Sequence, residues 1–319
     1  NNKIMKNIYT NIYTFNKKIV KKTINSLNQG NIISLPTETV YGLAGNAYSK
    51  RAINKIFKLK KRPIKNPLII HYHSIKRAYE DVIFNDNFFS LYRKYCPGPI
   101  TFVLKKKEKS RIHNLASADL DTVAIRFPNH NLIRSILKVI NFPLAMPSAN
   151  ISSYLSPVSA YDVFDEFNKK LDIIINGGQS KVGIESTVVD LTSKPRILRP
   201  GIISPTEIKK NLRIKLSKKK TNIKSPGMMK KHYSPGIPVI LGKKPTNQKH
   251  AYIVFGNKFA NKGNYFNLSK KSDLKEAASK LYKTMRTIKK SGFKKIFVSK
   301  IPNYGIGIAI NDRIKRSAK

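Results

Sequence analysis

Apolar residues recur at helical spacing over 15–28 (FNKKIVKKTINSLN), and Gly30 follows as a stop. NIISLP (31–36) is a short apolar run and reads as a strand. SKRAINKIFKLKKR (49–62) returns to the helical period and ends at Pro63, PLIIHY (67–72) reads as a strand, and a helical stretch begins near Ser74. PITFVLK (99–105), TVAIRF (122–127), PLAMPS (143–148) and LDIIIN (171–176) read as strands, with helices over 131–140 and near 157–168. STVVDL (186–191) and PRILRPG (195–201) are two strands joined by a turn. Such a turn is too short for the crossover that parallel strands need, so the predicted sheet is a mixed one in an α/β domain.

The first 15 residues read as an N-terminal extension, with a domain over 16–203. Beyond it the pattern fades. Residues 206–224 (TEIKKNLRIKLSKKKTNIK) are polar and basic, and SPGMMKKHYSPGIP (225–238) has prolines and glycines enough to forbid regular structure. The stretch 204–237 is therefore expected to be a linker. A second α/β pattern covers 238–319: PVILG, AYIVFGN (251–257), a helix over 272–291, KKIFVSK (294–300) and a last helix from about Gly307. Strands alternating with helices predict a small Rossmann-like parallel sheet. GIGIAIN (305–311) reads as a helix start rather than a phosphate loop, because no βα unit follows it.

With 319 residues and 40% hydrophobic content the chain can bury a sizeable core, which argues against wholesale disorder. No run approaches the ~18–20 apolar residues of a membrane span, and no membrane association is expected. One cysteine, Cys96, excludes an internal disulfide framework or a multi-thiolate zinc site. A reducing, cytoplasmic setting is expected. NNKIMKNIYTN has no apolar core or cleavage site of a secretory signal, though its basic, acid-free character also suits an organellar transit peptide. The 62 Lys and Arg against 17 acids give a net charge of +45. That excess favours polyanions, but Lys, Asn and Ile are abundant throughout, so background composition accounts for it as well.

Phosphate loops, nucleophile elbows and metal-ligand spacings are missing from the sequence. What remains is polar residues at strand ends. Thr37, Glu38 and Thr39 in LPTETVYGL follow a strand where an open sheet exposes side chains; a helix N-cap before Val40 is the alternative. Lys58, Lys60, Lys61, Arg62 and Lys65 cluster at a helix end, either serving the helix dipole or forming a polyphosphate site. Arg126 stands inside an apolar strand and must be paired, surface-facing or waiting for an anion. Ser148 and Asn150 in PSAN suit either a capping turn or a nucleotide contact.

Taken in order, LPTETVYGL, the Lys60 and Arg62 pair in KKRPIKNPL, CPGPITFVL, TVAIRFP, PSAN, Ser156-Pro157, GIESTVVDL and ILRPG resemble the threonylcarbamoyl-AMP synthase family, with its YrdC-like fold. SPGMMKKHYSPGIP and AINDRIKRSA resemble the linker and C-terminal helix of its two-domain form. The resemblance implies that L-threonine, bicarbonate and ATP give threonylcarbamoyl-AMP and pyrophosphate, with Mg²⁺ held mainly by phosphates. The product would serve a downstream transfer complex that makes N6-threonylcarbamoyladenosine in tRNAs reading ANN codons. By matching motif, Lys60, Arg62, Ser148 and Asn150 are the expected catalytic residues. Thr37, His71, Arg126, Met146 and Ser186 would bind L-threonine. Arg62, Asn66, Thr122, Ser148, Ser156, Arg199 and Tyr233 would bind ATP, with Tyr233 making the linker a lid. Ile151-Ser152 stand where many members carry Ser-Gly, and Lys61 replaces a common Gly; neither change removes an expected ligand. A non-catalytic YrdC-like module binding double-stranded RNA or tRNA is the alternative, and the retained ligand set favours the enzyme. The related hydrogenase-maturation carbamoyltransferases carry zinc-finger cysteines that this chain lacks.

Overall fold

The computed structural model describes residues 9–217, 232–259 and 262–318. The first unit runs β1 (Ile12–Thr14), α1 (Lys17–Asn28), β2 (Ile33–Leu35), β3 (Gly42–Asn46), α2 (Lys50–Lys60), β4 (Ile69–His71), α3 (Ile75–Ala78), β5 (Val82–Ile83), α4 (Asp86–Tyr95) and β6 (Ile100–Lys106). It continues through α5 (Asn114–Ser117), β7 (Thr122–Arg126), α6 (Asn131–Val139), β8 (Leu144–Ala145), α7 (Ala160–Phe167), β9 (Ile174–Asn176), β10 (Thr187–Asp190), β11 (Arg196–Arg199) and α8 (Pro205–Leu212). The strands form a mixed sheet in the order β1-β9-β2-β3-β8-β4-β7-β6-β10-β11, with β5 paired to β6. The short β10–β11 connection is antiparallel, as its length requires.

Local chemistry sets the helix ends. Asn16 accepts from the Ile19 amide at 2.9 Å to start α1, and Ser49 caps α2 through the Ala52 amide. Along α2, Ile53, Ile56 and Phe57 turn inward, joining Tyr41, Leu43, Ile70, Phe102 and Ile125 in the main core. Of the two readings of Thr37, the helix cap is not formed, and the residue builds a turn instead. The Thr37 hydroxyl accepts from the Thr39 and Val40 amides and donates to the Val40 carbonyl at 2.6 Å. The chain then enters β3 directly.

Two boundaries differ from the sequence reading. Part of the predicted N-terminal extension is structural: β1 pairs in parallel with β9, and Tyr9 packs edge-on against Tyr161 and Phe164; residues 1–8 lie outside the described residues. The start of the predicted linker is also ordered. Ser204 and Glu207 form a capping box for α8, and Ile208 and Leu212, one turn apart, sink into the main core. Their spacing supplies the apolar stripe that the surrounding lysines obscure. The first unit therefore extends to Ser217, and residues 218–231 lie outside the described residues.

The second unit runs β12 (Val239–Leu241), β13 (Ala251–Val254), β14 (Tyr265–Asn267), α9 (Leu274–Lys290), β15 (Ile296–Val298) and α10 (Gly307–Ser317). Its described strands pair in parallel in the order β12-β15-β13-β14. Helix α9 is the seam between the units. Its Ala278, Leu281, Tyr282 and Met285 share one apolar cluster with Val40, Leu155, Val158 and Ile184 of the first unit. At Gly183, in the left-handed region with φ +75°, a Cβ would stand 2.5 Å from the Ser279 Cα, so glycine is what lets α9 approach so closely. Arg286 adds an ion pair to Glu166 at 3.5 Å.

Candidate active site

A narrow cleft, partly open to solvent, lies beyond the ends of the central strands. Parallel pairing sets His71 of β4 opposite Arg126 of β7, and both side chains line the cleft with Thr37, Gly42 and Met146. Arg62, Ser148, Glu185, Arg199 and His232 complete much of the wall. Seven of the residues nominated from sequence thus meet on one surface: Thr37, Arg62, His71, Arg126, Met146, Ser148 and Arg199.

At one side Arg126 Nη2 donates to Glu38 Oε1 at 2.7 Å, with both residues buried. Arg126 Nε and Glu38 Oε2 are buried with no hydrogen-bond partner among the described residues. Burial, and then the Arg126 charge, hold the His71 imidazole well below its ordinary range, so it is neutral at physiological pH. Met146 packs against Gly42: a Cβ there would lie 2.4 Å from Met146 Cγ, so the bare backbone makes room for this side chain.

At the other side the basic run divides. Lys60 and Arg62 are buried, whereas Lys58, Lys61 and Lys65 are exposed. Lys60 Nζ donates to the carbonyl oxygens of Ser148, at 2.6 Å, and of Asn150, so it braces the PSAN turn from behind. Burial first, then the neighbouring Arg62, pull its ammonium well below the usual lysine range. Arg62 donates to the carbonyls of Asn66 at 2.9 Å and Pro67 at 2.8 Å. Burial and the charge of Arg199 bring it down to about 9, still cationic at neutral pH. Arg199 donates to the Ser186 carbonyl and hydroxyl, each at 3.0 Å, and Ser186 also bonds Thr101 at 2.7 Å.

The other nominated residues stand behind this surface. Asn150 donates to the carbonyls of Ile151 and Tyr154, shaping the loop after PSAN. Ser156 donates to Glu185 at 2.5 Å. Thr122 is buried at the opposite end of β7 from Arg126; the parallel register, with Ile69 opposite Ala124, carries it toward the Asn66–Pro67 stretch that Arg62 holds. Tyr233 does not line the cleft. Its backbone has φ +66°, its ring is buried in the cluster between the two units, and it stacks on Tyr282 at 5.9 Å with Arg313 4.9 Å above it. The adjacent His232 faces the cleft instead. Burial depresses its pKa to about 3, leaving it neutral.

Sequence reasoning gave no site role to Glu185 or His232, and it named Glu38 only as a polar residue beyond a strand end. The available signal was the rarity of acids: Glu38 and Glu185 lie within apolar strings of a chain with 17 acids in all. Glu185 accepts from Ser156, from the Tyr282 hydroxyl and from Arg313 Nε at 2.8 Å. Burial alone would raise this carboxyl, but the Arg313 and Arg199 charges and the Ser156 and Arg313 hydrogen bonds outweigh it and hold it at about 2. Among the described residues no group of three or more His, Cys, Asp or Glu could hold a metal ion, and no helix is long and apolar enough to cross a membrane. The arrangement suits binding of anions: guanidiniums from three separate elements converge on it beside two neutral imidazoles.

A family model described as "Telomere recombination", covering Sua5, YciO and YrdC, matches residues 25–201. A second, "Threonylcarbamoyl-AMP synthase, C-terminal domain", matches residues 203–319. The chain is 33% identical to threonylcarbamoyl-AMP synthase of Pyrococcus abyssi over 92% of both chains. It is 30% identical to the Bacillus subtilis enzyme of the same name over 92% of this chain and 90% of that one. The crystal structure of P. abyssi Sua5 complexed with L-threonine superposes with a TM-score of 0.87 at 31% identity, covering 96% of this chain and 97% of that one. E. coli YciO, at 19% identity and a TM-score of 0.55 over 62% of this chain, shares the fold of the first unit. By both matching domains and by its full-length relatives, this chain belongs to the threonylcarbamoyl-AMP synthase family.

Proposed function

We propose that the protein is an L-threonylcarbamoyladenylate synthase. It takes L-threonine, bicarbonate and ATP and forms threonylcarbamoyl-AMP and pyrophosphate. The observation that carries this reading is the division of the cleft's guanidiniums. Arg126, paired with Glu38, stands beside His71 and Thr37. Arg62 and Arg199 lie close enough that the charge of one lowers the pKa of the other. A single guanidinium fits one carboxylate, and two adjacent ones fit a polyphosphate. Threonine's carboxylate is therefore assigned to Arg126, with Thr37, His71, Met146 and Ser186 around the amino acid. The nucleotide is assigned to Arg62, Ser148 and Arg199, supported by Lys60, Asn66, Thr122, Asn150, Ser156 and, across the unit boundary, Tyr233.

The reaction needs no protein nucleophile. The amine of threonine adds to bicarbonate with loss of water, giving a carbamate. A carbamate oxygen attacks the α-phosphorus, the bond to the β-phosphate oxygen breaks, and pyrophosphate leaves with the electron pair. Cys96 is not suited to nucleophilic attack, since burial raises its thiol to about 12. The residues of the cleft orient two anions and neutralise charge as it moves onto pyrophosphate. Neutral His71 adds no competing cation beside Arg126. Mg²⁺ is the metal the family implies. Glu38 is engaged by Arg126 and Glu185 by Ser156, Tyr282 and Arg313. We therefore assign the metal to the triphosphate oxygens, where it would offset phosphate charge. The product is a reactive mixed anhydride, which a separate transferase acting on tRNA adenosine would consume.

The test is pyrophosphate release with each substrate omitted in turn. Release should require ATP, threonine and bicarbonate together. Equal release without threonine would reduce the protein to an ATP pyrophosphohydrolase. Salt-sensitive RNA binding without ATP turnover would favour a non-catalytic module.

A further inference from the structure

Glu185 is the one carboxylate that reaches the wall of the cleft among the described residues, and three guanidiniums share that wall. A carboxylate so placed competes with any anionic substrate for the same cations. Arg199 is close enough for its charge to depress the Glu185 pKa, yet it makes no ion pair with Glu185 and donates to Ser186 instead. The reason lies in the second unit. From α10, Arg313 Nε takes Glu185 Oε2 at 2.8 Å. From α9, the Tyr282 hydroxyl lies 3.0 Å from Oε2 and 3.2 Å from Oε1. Ser156 takes the remaining capacity of Oε1. Arg313 and Tyr282 are fully buried, so both bonds are shielded from water and salt. Arg313 is itself fixed: its Nη1 donates to Asp312 at 2.8 Å, and its guanidinium lies over the Tyr233 ring.

We propose that Arg313 and Tyr282 of the C-terminal unit are positioning residues for the nucleotide site, binding Glu185 so that Arg199 and Arg62 remain available to the anionic substrate. This rests on reading the cleft as an ATP site and gives the C-terminal unit a part in that site without direct contact. Without Arg313, the Glu185 carboxylate turns to Arg199, and ATP must break that pair in order to bind. Removing the charge of Glu185 as well then relieves the defect, which loss of a merely structural contact would not produce.

The experiment uses the full chain and three variants: Arg313→Gln, Glu185→Gln and the double variant. The readouts are the Kd of a non-hydrolysable ATP analogue by calorimetry, the KM values for ATP and threonine, kcat and Tm. Arg313→Gln should weaken analogue binding and raise the ATP KM by at least about tenfold, the scale of one charge-assisted contact. The threonine KM should stay within about twofold, because Arg126 has its own partner in Glu38. The double variant should recover analogue binding to within about threefold of the parent. Should Arg313→Gln fail to fold, Tyr282→Phe removes the hydroxyl bonds to Glu185 with almost no change in volume. A folded Tyr282→Phe should still raise the ATP KM by roughly threefold or more. Parent-like analogue binding in Arg313→Gln, a double variant no better than the single one, or an unmoved ATP KM in Tyr282→Phe would each overturn the proposal. A parent chain that does not bind the analogue would instead overturn the ATP reading, and this proposal with it.

Discussion

The Arg126 guanidinium, on the wall of the cleft, meets the Glu38 carboxylate behind it at 2.7 Å, and each side chain keeps one buried polar atom without a partner among the described residues. Glu38 thus fixes the plane of the guanidinium without satisfying it. A carboxylate arriving in the cleft finds an oriented fork rather than a flexible cation. Arg126→Lys retains the charge but loses that fork. The threonine KM should rise by at least about tenfold, with the ATP KM nearly unchanged. Initial rates against threonine concentration check this, and an unmoved threonine KM would remove Arg126 from the amino-acid site.

The basic run at the end of α2 offers a second test, because burial separates members that composition cannot. Lys60→Ala or Arg62→Ala should lose about 1.5–3 kcal/mol of transition-state stabilisation, roughly tenfold to over a hundredfold in kcat/KM. Lys65→Ala, at an exposed position of the same loop, should change kcat/KM by less than about twofold. Equal, small effects at all three positions would mean that the run is only solvated surface.

Gly42 and Met146 test the shape of the amino-acid side of the cleft. A methyl at position 42 would meet the Met146 side chain at 2.4–3.0 Å, and the flexible thioether must then move. Gly42→Ala should therefore fold while weakening threonine binding several-fold. Isothermal titration with threonine reads the effect directly, and parent-like affinity would show that Met146 does not shape this site.

Acid stability tests the bond between the two units. The Glu185 carboxyl lies at about 2 in the folded chain against an ordinary 4.5. A depressed folded value means that the ionised form is bound more tightly when folded. The contribution is fully present above pH 4.5 and is lost as the pH falls from there through about 2. Its size is on the order of 3 kcal/mol. Glu185→Gln leaves Arg313 buried without its counter-ion, so it should be less stable at neutral pH. It should also lose less stability than the parent between pH 5 and pH 3 in urea denaturation. Parallel acid limbs would contradict the role given to this carboxylate.

What could be read in advance follows the range of the physics involved. Helices α1, α2 and α9 carry apolar stripes and side-chain caps within a dozen or so residues, and such local patterns survive in sequence. The strands around the cleft were visible for the same reason, and their polar ends pointed to Thr37, Arg126 and Ser148. Helix α4 was missed: Phe88 and Leu91 face the core while Phe89 stays partly exposed, which blurs the period. Helix α8 hid beneath its lysines. The division of the basic run into buried and exposed members depends on tertiary packing, and so does the inward turn of Tyr233. The position of Glu185 depends on Arg313, 128 residues further along the chain. No local pattern records a pairing at that distance.

The proposed reaction joins carbon from bicarbonate, through threonine, to AMP. The most direct measurement incubates the intact protein with ATP, L-threonine and ¹³C-bicarbonate and follows the products by mass spectrometry at early times. A threonylcarbamoyl-AMP species carrying the heavy carbon should form together with pyrophosphate and be absent when threonine is withheld. Pyrophosphate or AMP accumulating with no labelled adenylate, at the same rate with and without threonine, would contradict it.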